Sequence, residues 1–246
     1  MNFFIKSLRS LDKFEIALWL CSVAAVVLSF VLTASSDYMT LAASLVGATA
    51  LIFVSKGNVI GQLLTIVFAA LYGAVSYSYK YYGEMFTYIG MSAPIAAIAA
   101  VMWLKNSFNG SKTEVKINTV KRAEYVLLAA IATAVTVAFY FILDALGTAN
   151  IVVSTVSVFT SFTAAYLTMR RCEYYAIAYA LNDMVLIAMW ISACAENISY
   201  LSMVVCFTVF LINDIYGFIN WRKTKRKQSE ALRQQDAHDA RHRDEL

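Results

Sequence analysis

The chain has 246 residues, of which 60% are hydrophobic and 15% are charged, and its formal net charge is +4. A soluble domain would have about a quarter of its residues charged, so the composition excludes an ordinary soluble protein and favours one that crosses a membrane. The positive charge does not indicate a nucleic-acid partner, because the basic residues form short clusters beside long apolar stretches.

Eight apolar stretches follow one another along the chain. Because about 20 helical residues cross the hydrocarbon core of a bilayer, we predict an all-α membrane protein with eight transmembrane helices. They are residues 15–33, 39–54, 59–79, 85–104, 124–144, 151–169, 174–194 and 198–221. The second stretch is short, and its helix is expected to begin nearer Asp37.

The lysines and arginines predict the orientation of these helices. Of the 20 basic residues, only Lys80 lies outside one set of alternate gaps between the apolar stretches. Positive charge is retained on the cytoplasmic side during insertion, so both termini are predicted to be cytoplasmic. Residues 222–246 are polar and are expected to form a solvated cytoplasmic tail, helical or not, without a core of its own.

The sequence carries no set of residues typical of catalysis. It has no nucleophile elbow or phosphate loop, and no histidine lies inside an apolar stretch. The four cysteines have no CxxC spacing and are interpreted as small buried hydrophobes. His238 and His242 are one helical turn apart but lack a third ligand. We therefore expect no enzymatic activity, no cofactor and no metal site.

Residues 39–104 and 151–221 share a layout that predicts an internal repeat. The ordered landmarks are a basic turn, a middle helix with amides and tyrosines, an acid in the next turn and a closing tryptophan (Lys56, Glu84, Trp103; Arg170–Arg171, Glu196, Trp221). An intervening helix restores the direction of the second unit, which gives a 3+1+3 core of two parallel three-helix repeats, a transporter architecture. The predicted segments are 1–36 with an accessory helix, 37–104, 105–150 with a cytoplasmic loop and the connecting helix, 151–221, and the tail 222–246.

The seventh stretch has the richest polar face. Its residues Tyr175, Tyr179, Asn182 and Trp190 follow three-to-four spacing and so share one side of a helix. Asn182 and Asp183 are about 13 Å from the helix start at 1.5 Å per residue, near the middle of the bilayer. Aromatic rings around a central amide suit a flat polar ligand. Aromatic packing with an interhelical hydrogen bond is the structural alternative.

Polar residues in other stretches extend the candidate substrate site. Asn213 and Asp214 lie inside the eighth stretch, where a polar group is costly and so usually faces the bundle interior. Gln62 and Tyr72 lie on one side of the third stretch, and Tyr88 lies in the fourth. Gln62 is near the cytoplasmic end, so gating and ligand contact are equally compatible with it. Pro94 should kink the fourth helix.

Three motifs resemble the PnuC family of bacterial nicotinamide riboside transporters. They are Tyr82-Gly83-Glu84-Met85, the basic turn Arg170-Arg171 followed by an aromatic helix with Asn182-Asp183, and the segment Asn213 to Trp221. The resemblance covers residues 39–227. It implies a fold related to the SWEET sugar transporters, a trimer, and facilitated uptake across the inner membrane of the cell. It also implies a functional link to a cytoplasmic kinase that traps the vitamin for NAD biosynthesis.

The resemblance implies nicotinamide riboside (vitamin B3) as the substrate. Tyrosine and tryptophan faces attract its cationic ring, Asn182, Asn213 and Gln62 could pair with its polar groups, and Asp183 or Asp214 could balance its charge. Family members commonly have two tryptophans spaced by three in the seventh helix, followed by Asp or Asn. Here Tyr175, Ala178 and Asn182 occupy those places. Uptake of another B vitamin, thiamine or riboflavin, and proton-coupled uptake are the alternatives.

Overall fold

A computed structural model describes residues 3–33, 37–148, 150–195 and 197–244. Its helices in chain order are α1 (Phe3–Arg9), α2 (Lys13–Leu32), α3 (Tyr38–Ser55), α4 (Val59–Ser78), α5 (Tyr82–Met85), α6 (Ala93–Lys105), α7 (Arg122–Ala145), α8 (Ile151–Met169), α9 (Tyr175–Cys194) and α10 (Leu201–Asp244). Residues Phe86–Ser92 form a π-helical segment between α5 and α6, and Ile198–Tyr200 form a 3₁₀ turn before α10. Within the described ranges, eight helices are long and apolar enough to cross a membrane, which confirms the predicted spans.

Helix α3 begins at Tyr38, as the short second stretch suggested. The Asp37 carboxylate caps it by accepting hydrogen bonds from the backbone amides of Met39 and Thr40. The Thr40 hydroxyl and the Tyr79 hydroxyl also donate to this carboxylate. Burial alone would raise the pKa of Asp37, but these hydrogen bonds outweigh burial and lower it. A charged cap therefore ties the start of α3 to the end of α4 (Val59–Ser78).

The fourth span is interrupted before its proline. Pro94 lies in the first turn of α6, and the π-helical segment directly precedes it. Proline has no N–H to donate and its ring collides with the carbonyl four residues earlier, so wider π spacing at this point accommodates it. Tyr88 and Ser92 lie within this irregular segment and are both buried.

The loop after α6 is more ordered than predicted. Ser107–Phe108 (β1) and Ser111–Val115 (β2) form an antiparallel hairpin. Asn109 and Gly110 connect the strands, both with positive φ, as a two-residue hairpin turn requires. The Asn-Gly pair was therefore a readable signal for this hairpin. At the end of β2, the Val115 amide donates to the Gly57 carbonyl, and beyond the hairpin the Asn118 amide donates to the Arg171 carbonyl, so the loop covers both basic turns.

The tail prediction was wrong for its first part. Helix α10 runs without a break into the tail, and Gln228 is only 4% exposed. The Gln228 amide group accepts from the Ile117 amide at 2.9 Å and donates to the Val115 carbonyl at 3.0 Å. Lys225 forms a 2.7 Å ion pair with Glu173. The start of the tail is thus docked on the hairpin rather than solvated.

The turns after α3 and α8 have the same geometry. Gly57 and Arg171 both have φ near +60°. In each turn, the amide of this residue and that of the following residue donate hydrogen bonds to the last carbonyls of the helix. After α3, Gly57 donates to Val54 and Asn58 donates to Phe53; after α8, Arg171 donates to Thr168 and Cys172 donates to Leu167. This pair of hydrogen bonds satisfies carbonyls that otherwise have no partner at the end of a helix.

The two tryptophans that close the predicted repeats meet at the same end of the bundle. The Trp103 and Trp221 rings are 5.5 Å apart between centroids. The Trp103 indole donates to the Thr168 carbonyl of α8, and the Trp221 indole donates to the Val54 carbonyl of α3, each at 2.9 Å. Each tryptophan therefore reaches across to the first helix of the other segment. We call this end, with Lys56, Lys105, Arg170 and Arg171, the basic end.

The accessory helix α2 is attached more firmly than its apolar sequence suggested. It packs against α3 and α10. Its fully buried Glu15 accepts hydrogen bonds from Lys56 at 2.7 Å and from the Tyr216 hydroxyl at 2.9 Å. Glu15 and Asp12 also form a capping box at the start of the helix. One acid thus joins α2 to the α3–α4 turn and to α10.

Candidate functional site

A cavity of about 50 Å³ lies in the middle of the bundle. Its walls come from α3, α4, the π-helical segment, α8, α9 and α10. Six of the ten residues predicted for the substrate site line it: Gln62, Tyr88, Tyr179, Asn182, Asp183 and Asp214. A cavity of this volume has room for a few water molecules only.

Asn182 is the most firmly held polar group of the cavity. Its side-chain carbonyl accepts hydrogen bonds from the hydroxyls of Thr160 at 2.8 Å, Ser161 at 3.0 Å and Ser157 at 3.3 Å. All three hydroxyls lie on one side of α8, at positions i, i+3 and i+4. With the oxygen held this way, the amide –NH₂ is the part of Asn182 left to donate to a ligand. The sequence prediction missed these hydroxyls, although their helical spacing was readable.

Asp183 and Asp214 bring two carboxyl groups together beside Asn182. Both residues are buried, and both line the cavity. Carboxyl groups in a dry site need a proton or a positively charged partner. None of the described residues that line the cavity is a lysine or an arginine. The site therefore suits a ligand with positive charge better than one with a phosphate group.

Aromatic rings also line the cavity. Phe68 and Phe210 line the cavity with their centroids 5.3 Å apart, and Tyr88 meets Phe68 edge-on at 5.7 Å. Gly47 of α3 makes room for this cluster, because a Cβ there would lie 2.3 Å from a Phe210 ring carbon. Phe68 and Phe210 were not predicted, since a phenylalanine in an apolar stretch gives no sign of the face it occupies.

The structure places the other four predicted site residues outside the cavity. Tyr175 packs against Trp221 at 4.8 Å, at the basic end. Trp190 donates to the Tyr72 hydroxyl at 3.2 Å in an aromatic cluster at the opposite end. Tyr175 and Trp190 do share a helix face, but 15 residues separate them by about 22 Å along the axis. One face of α9 therefore reaches both ends of the bundle as well as the cavity.

Asn213 faces the accessory helix rather than the cavity. Its –NH₂ group donates to the Ser22 hydroxyl of α2 at 3.0 Å and to the Val209 carbonyl at 2.8 Å. Asp214, the next residue, points to the cavity because adjacent helical residues are about 100° apart. Asn213 thus joins α10 to α2.

Comparisons with known proteins agree with this description. Residues 37–223 match the family model described as nicotinamide mononucleotide transporter. A protein of Neisseria mucosa named nicotinamide riboside transporter PnuC is 26% identical over 197 residues, which are 78% of this chain and 75% of that protein. A protein of the same name from Haemophilus influenzae is 24% identical, over 85% of this chain and 90% of its own length.

A solved structure described as the crystal structure of the vitamin B3 transporter PnuC has the same fold. It superposes with a TM-score of 0.80 and 24% sequence identity, and the match covers 92% of this chain and 98% of that one. The relatives are named as transporters, which agrees with the expectation that the chain is not an enzyme.

Proposed function

Since the chain belongs to the PnuC family of membrane transporters, we propose that it takes up nicotinamide riboside. The observation that carries this proposal is the pairing of a fixed amide with two buried acids in one cavity. Nicotinamide riboside has a cationic aromatic ring, a carboxamide and ribose hydroxyls. A positive ring next to the Asp183–Asp214 pair restores charge balance in a dry site, and the Asn182 –NH₂ group supplies a directed donor.

The ring of the substrate would lie against the aromatic wall. Tyr88 and Tyr179 attract a cation with the faces of their rings, and Phe68 and Phe210 add apolar contact. Gln62 enters the cavity from α4 and can pair with a hydroxyl or with the carboxamide. Tyr175, Trp190, Tyr72 and Asn213 support the site from outside it. The absence of lysine and arginine among the described lining residues favours the riboside over its phosphorylated form.

We propose that transport proceeds by rocking of two parallel three-helix units in a 3+1+3 core, 37–104 and 151–221, about this cavity. The reciprocal hydrogen bonds of Trp103 and Trp221 support such a relation. A riboside is several times larger than the cavity of about 50 Å³, so the units must separate before it can bind. The Trp103–Trp221 contact would close the path at the basic end.

We further propose how transport is driven and in which membrane and oligomer the protein acts. Transport would be facilitated diffusion in a bacterial inner membrane, with both termini and the basic end in the cytoplasm and a kinase trapping the product. The chain would form a homo-oligomer, a trimer by family resemblance. Proton-coupled uptake is the second candidate, and the buried Asp183–Asp214 pair favours it specifically.

Two measurements test the function. Purified protein should be stabilised against thermal unfolding by nicotinamide riboside more than by its mononucleotide, thiamine or riboflavin, because a ligand of the folded state raises stability. In liposomes, labelled riboside should enter until its concentrations inside and outside are equal. Stabilisation by another vitamin alone would replace the substrate. Accumulation that needs a proton gradient would replace facilitated diffusion with proton coupling.

A further inference from the structure

Glu84 is a buried acid outside the substrate cavity. The sequence placed it in a polar turn, but its side chain is fully buried at the start of the fourth span. Neither carboxyl oxygen accepts a hydrogen bond from any described residue, and the nearby Thr87 and Thr148 hydroxyls are also without partners there. A buried carboxylate without a partner is costly, so this group needs a proton or a counter-ion.

The packing around Glu84 brings it to α8. A Cβ on the preceding residue, Gly83, would lie 3.1–3.2 Å from Ser154, Leu143 and Thr148, so this turn lies directly on the α7–α8 connection. Ser157 follows Ser154 by one helical turn on α8 and lies next to the Glu84 carboxyl, although the two side chains are not hydrogen-bonded in this structure. Ser157 donates its own proton to the Asn182 carbonyl. Ser157 can therefore accept from Glu84 but has no second proton to give it.

Within the described ranges of the chain, the other ionisable groups near Glu84 do not supply a counter-charge. The groups that face it are Tyr72 of α4 and Tyr88 of the π-helical segment, with Asp183 of α9 beyond Tyr88. The α8 side presents the hydroxyls of Ser154 and Ser157, and Asp144 in the preceding turn is exposed. None of these groups is a cation. Only a protonated Glu84 completes a chain of donors from Glu84 through Ser157 to Asn182.

We propose that Glu84 is a proton-binding site coupled to the substrate site through Ser157 and Asn182. The proton lets Glu84 donate to Ser157, and Ser157 in turn fixes the carbonyl of Asn182 so that its –NH₂ group faces the ligand. This inference rests on the proposed function for the identity of the ligand. By linkage, a ligand that binds better to the protonated form must take up a proton when it binds. This coupling between riboside binding and proton binding applies to a facilitator and to a proton-coupled carrier alike.

The test is the pH dependence of riboside binding, measured by calorimetry on the full chain from about pH 5 to about pH 9, a range in which buried carboxyl groups titrate. The ratio of the wild-type dissociation constant to that of Glu84→Gln should rise with pH, by up to about tenfold per pH unit where Glu84 loses its proton. Glu84→Gln keeps a donor, so it should match the wild type at low pH and bind more tightly at high pH. Any contribution of the Asp183–Asp214 pair is common to both proteins and cancels in this ratio. Asp144→Asn, at the exposed turn nearby, should follow the wild type.

A second variant separates the proton from the side chain. Glu84→Ala removes the donor and should bind roughly three- to tenfold more weakly at all pH values, without the pH slope. Proton uptake on binding, read from calorimetry in buffers of different ionisation enthalpy, should be present in the wild type and absent in Glu84→Gln. A Glu84→Gln protein that keeps the wild-type pH profile and the wild-type proton uptake would overturn the proposal.

Two further outcomes are a site that binds Na⁺ instead of a proton and a protein that does not bind the riboside. If Na⁺ in place of choline stabilises the wild type but not Glu84→Gln at constant pH, the site binds a metal cation and the proton assignment is overturned. If the riboside does not bind at any pH, the proposed function fails, and infrared spectroscopy then decides on Glu84 alone. A carboxylic-acid carbonyl band that Glu84→Gln removes and Asp144→Asn retains supports the proton site, and an unchanged band overturns it.

Discussion

Helices α3 and α8 end in turns of the same geometry but present different side chains to the cavity. At the basic end, each turn has one residue at positive φ, the same pair of backbone bonds, and a tryptophan from the other segment. Towards the cavity, α3 offers only apolar atoms, from Gly47, Ala50, Leu51 and Val54, whereas α8 offers the hydroxyls of Ser161 and Thr168. The shared features close the bundle, and the differing ones form the site.

This difference explains how one cavity can suit an amphipathic ligand. The α8 wall fixes the Asn182 amide through three hydroxyls, so polar groups of a ligand belong on that side. The α3 wall has no side chain at Gly47, and the Phe68 and Phe210 rings occupy the space it leaves. If the proposed function holds, we expect the flat ring of the substrate on the α3 side. Each of the following changes weakens one wall or the closure between them.

The largest effect is expected from Asn182→Ala on the polar wall. The change removes the proposed donor to the ligand, and a hydrogen bond to a charged partner contributes about 1.5–3 kcal/mol. It also leaves the buried hydroxyls of Ser157 and Ser161 without their acceptor, which lowers the stability of the protein. Riboside affinity measured by calorimetry should fall by roughly ten- to a hundredfold. Gln62→Ala should lose less, because Gln62 holds no comparable set of partners in the described part of the chain. Equal, small losses for both would remove Asn182 from the site.

The second change adds one carbon to the apolar wall. In Gly47→Ala the new Cβ would lie 2.3 Å from Phe210 and 2.9 Å from Phe68, so the rings must move. Overpacking of this kind costs about 1–3 kcal/mol, and the moved rings should narrow the cavity and weaken binding. Unfolding in mixed detergent measures the stability. Gly90→Ala is the control, since a Cβ there meets nothing within 4 Å. Similar losses in both would contradict the packing assigned to Gly47.

The eight spans could be predicted because hydropathy and the length of a span are local properties. The reciprocal tryptophan bonds could not, since a terminal tryptophan looks the same whether it meets lipid or another helix. Asn182 was predicted from spacing, whereas Asn213 was expected in the site and instead meets Ser22 of α2. The sequence does not state which helices are neighbours. The same limit applies to Glu84, whose burial depends on contacts with α8.

The third change tests the closure that the two segments share. Trp103→Phe and Trp221→Phe each remove one indole hydrogen bond to the first helix of the other segment. Each should lower the free energy of unfolding by about 0.5–1.5 kcal/mol, and by similar amounts. Because the rings lie 5.5 Å apart, the double variant should differ from the sum of the single ones. Strongly unequal effects, or strict additivity, would argue against a matched pair at this end.

The smallest effect is expected from making α8 resemble α3 at a single position. Ser161→Ala removes one of the three donors to the Asn182 carbonyl and leaves two in place. A single hydrogen bond contributes about 0.5–1.5 kcal/mol, so riboside affinity should fall by roughly two- to tenfold. Thr163→Ala on the same helix is the matched control, because its exposed hydroxyl donates only to the Phe159 carbonyl. If Ser161→Ala and Thr163→Ala bind equally well, the hydroxyls of α8 pack the helices without orienting Asn182, and the polar wall consists of Asn182 and the two acids alone.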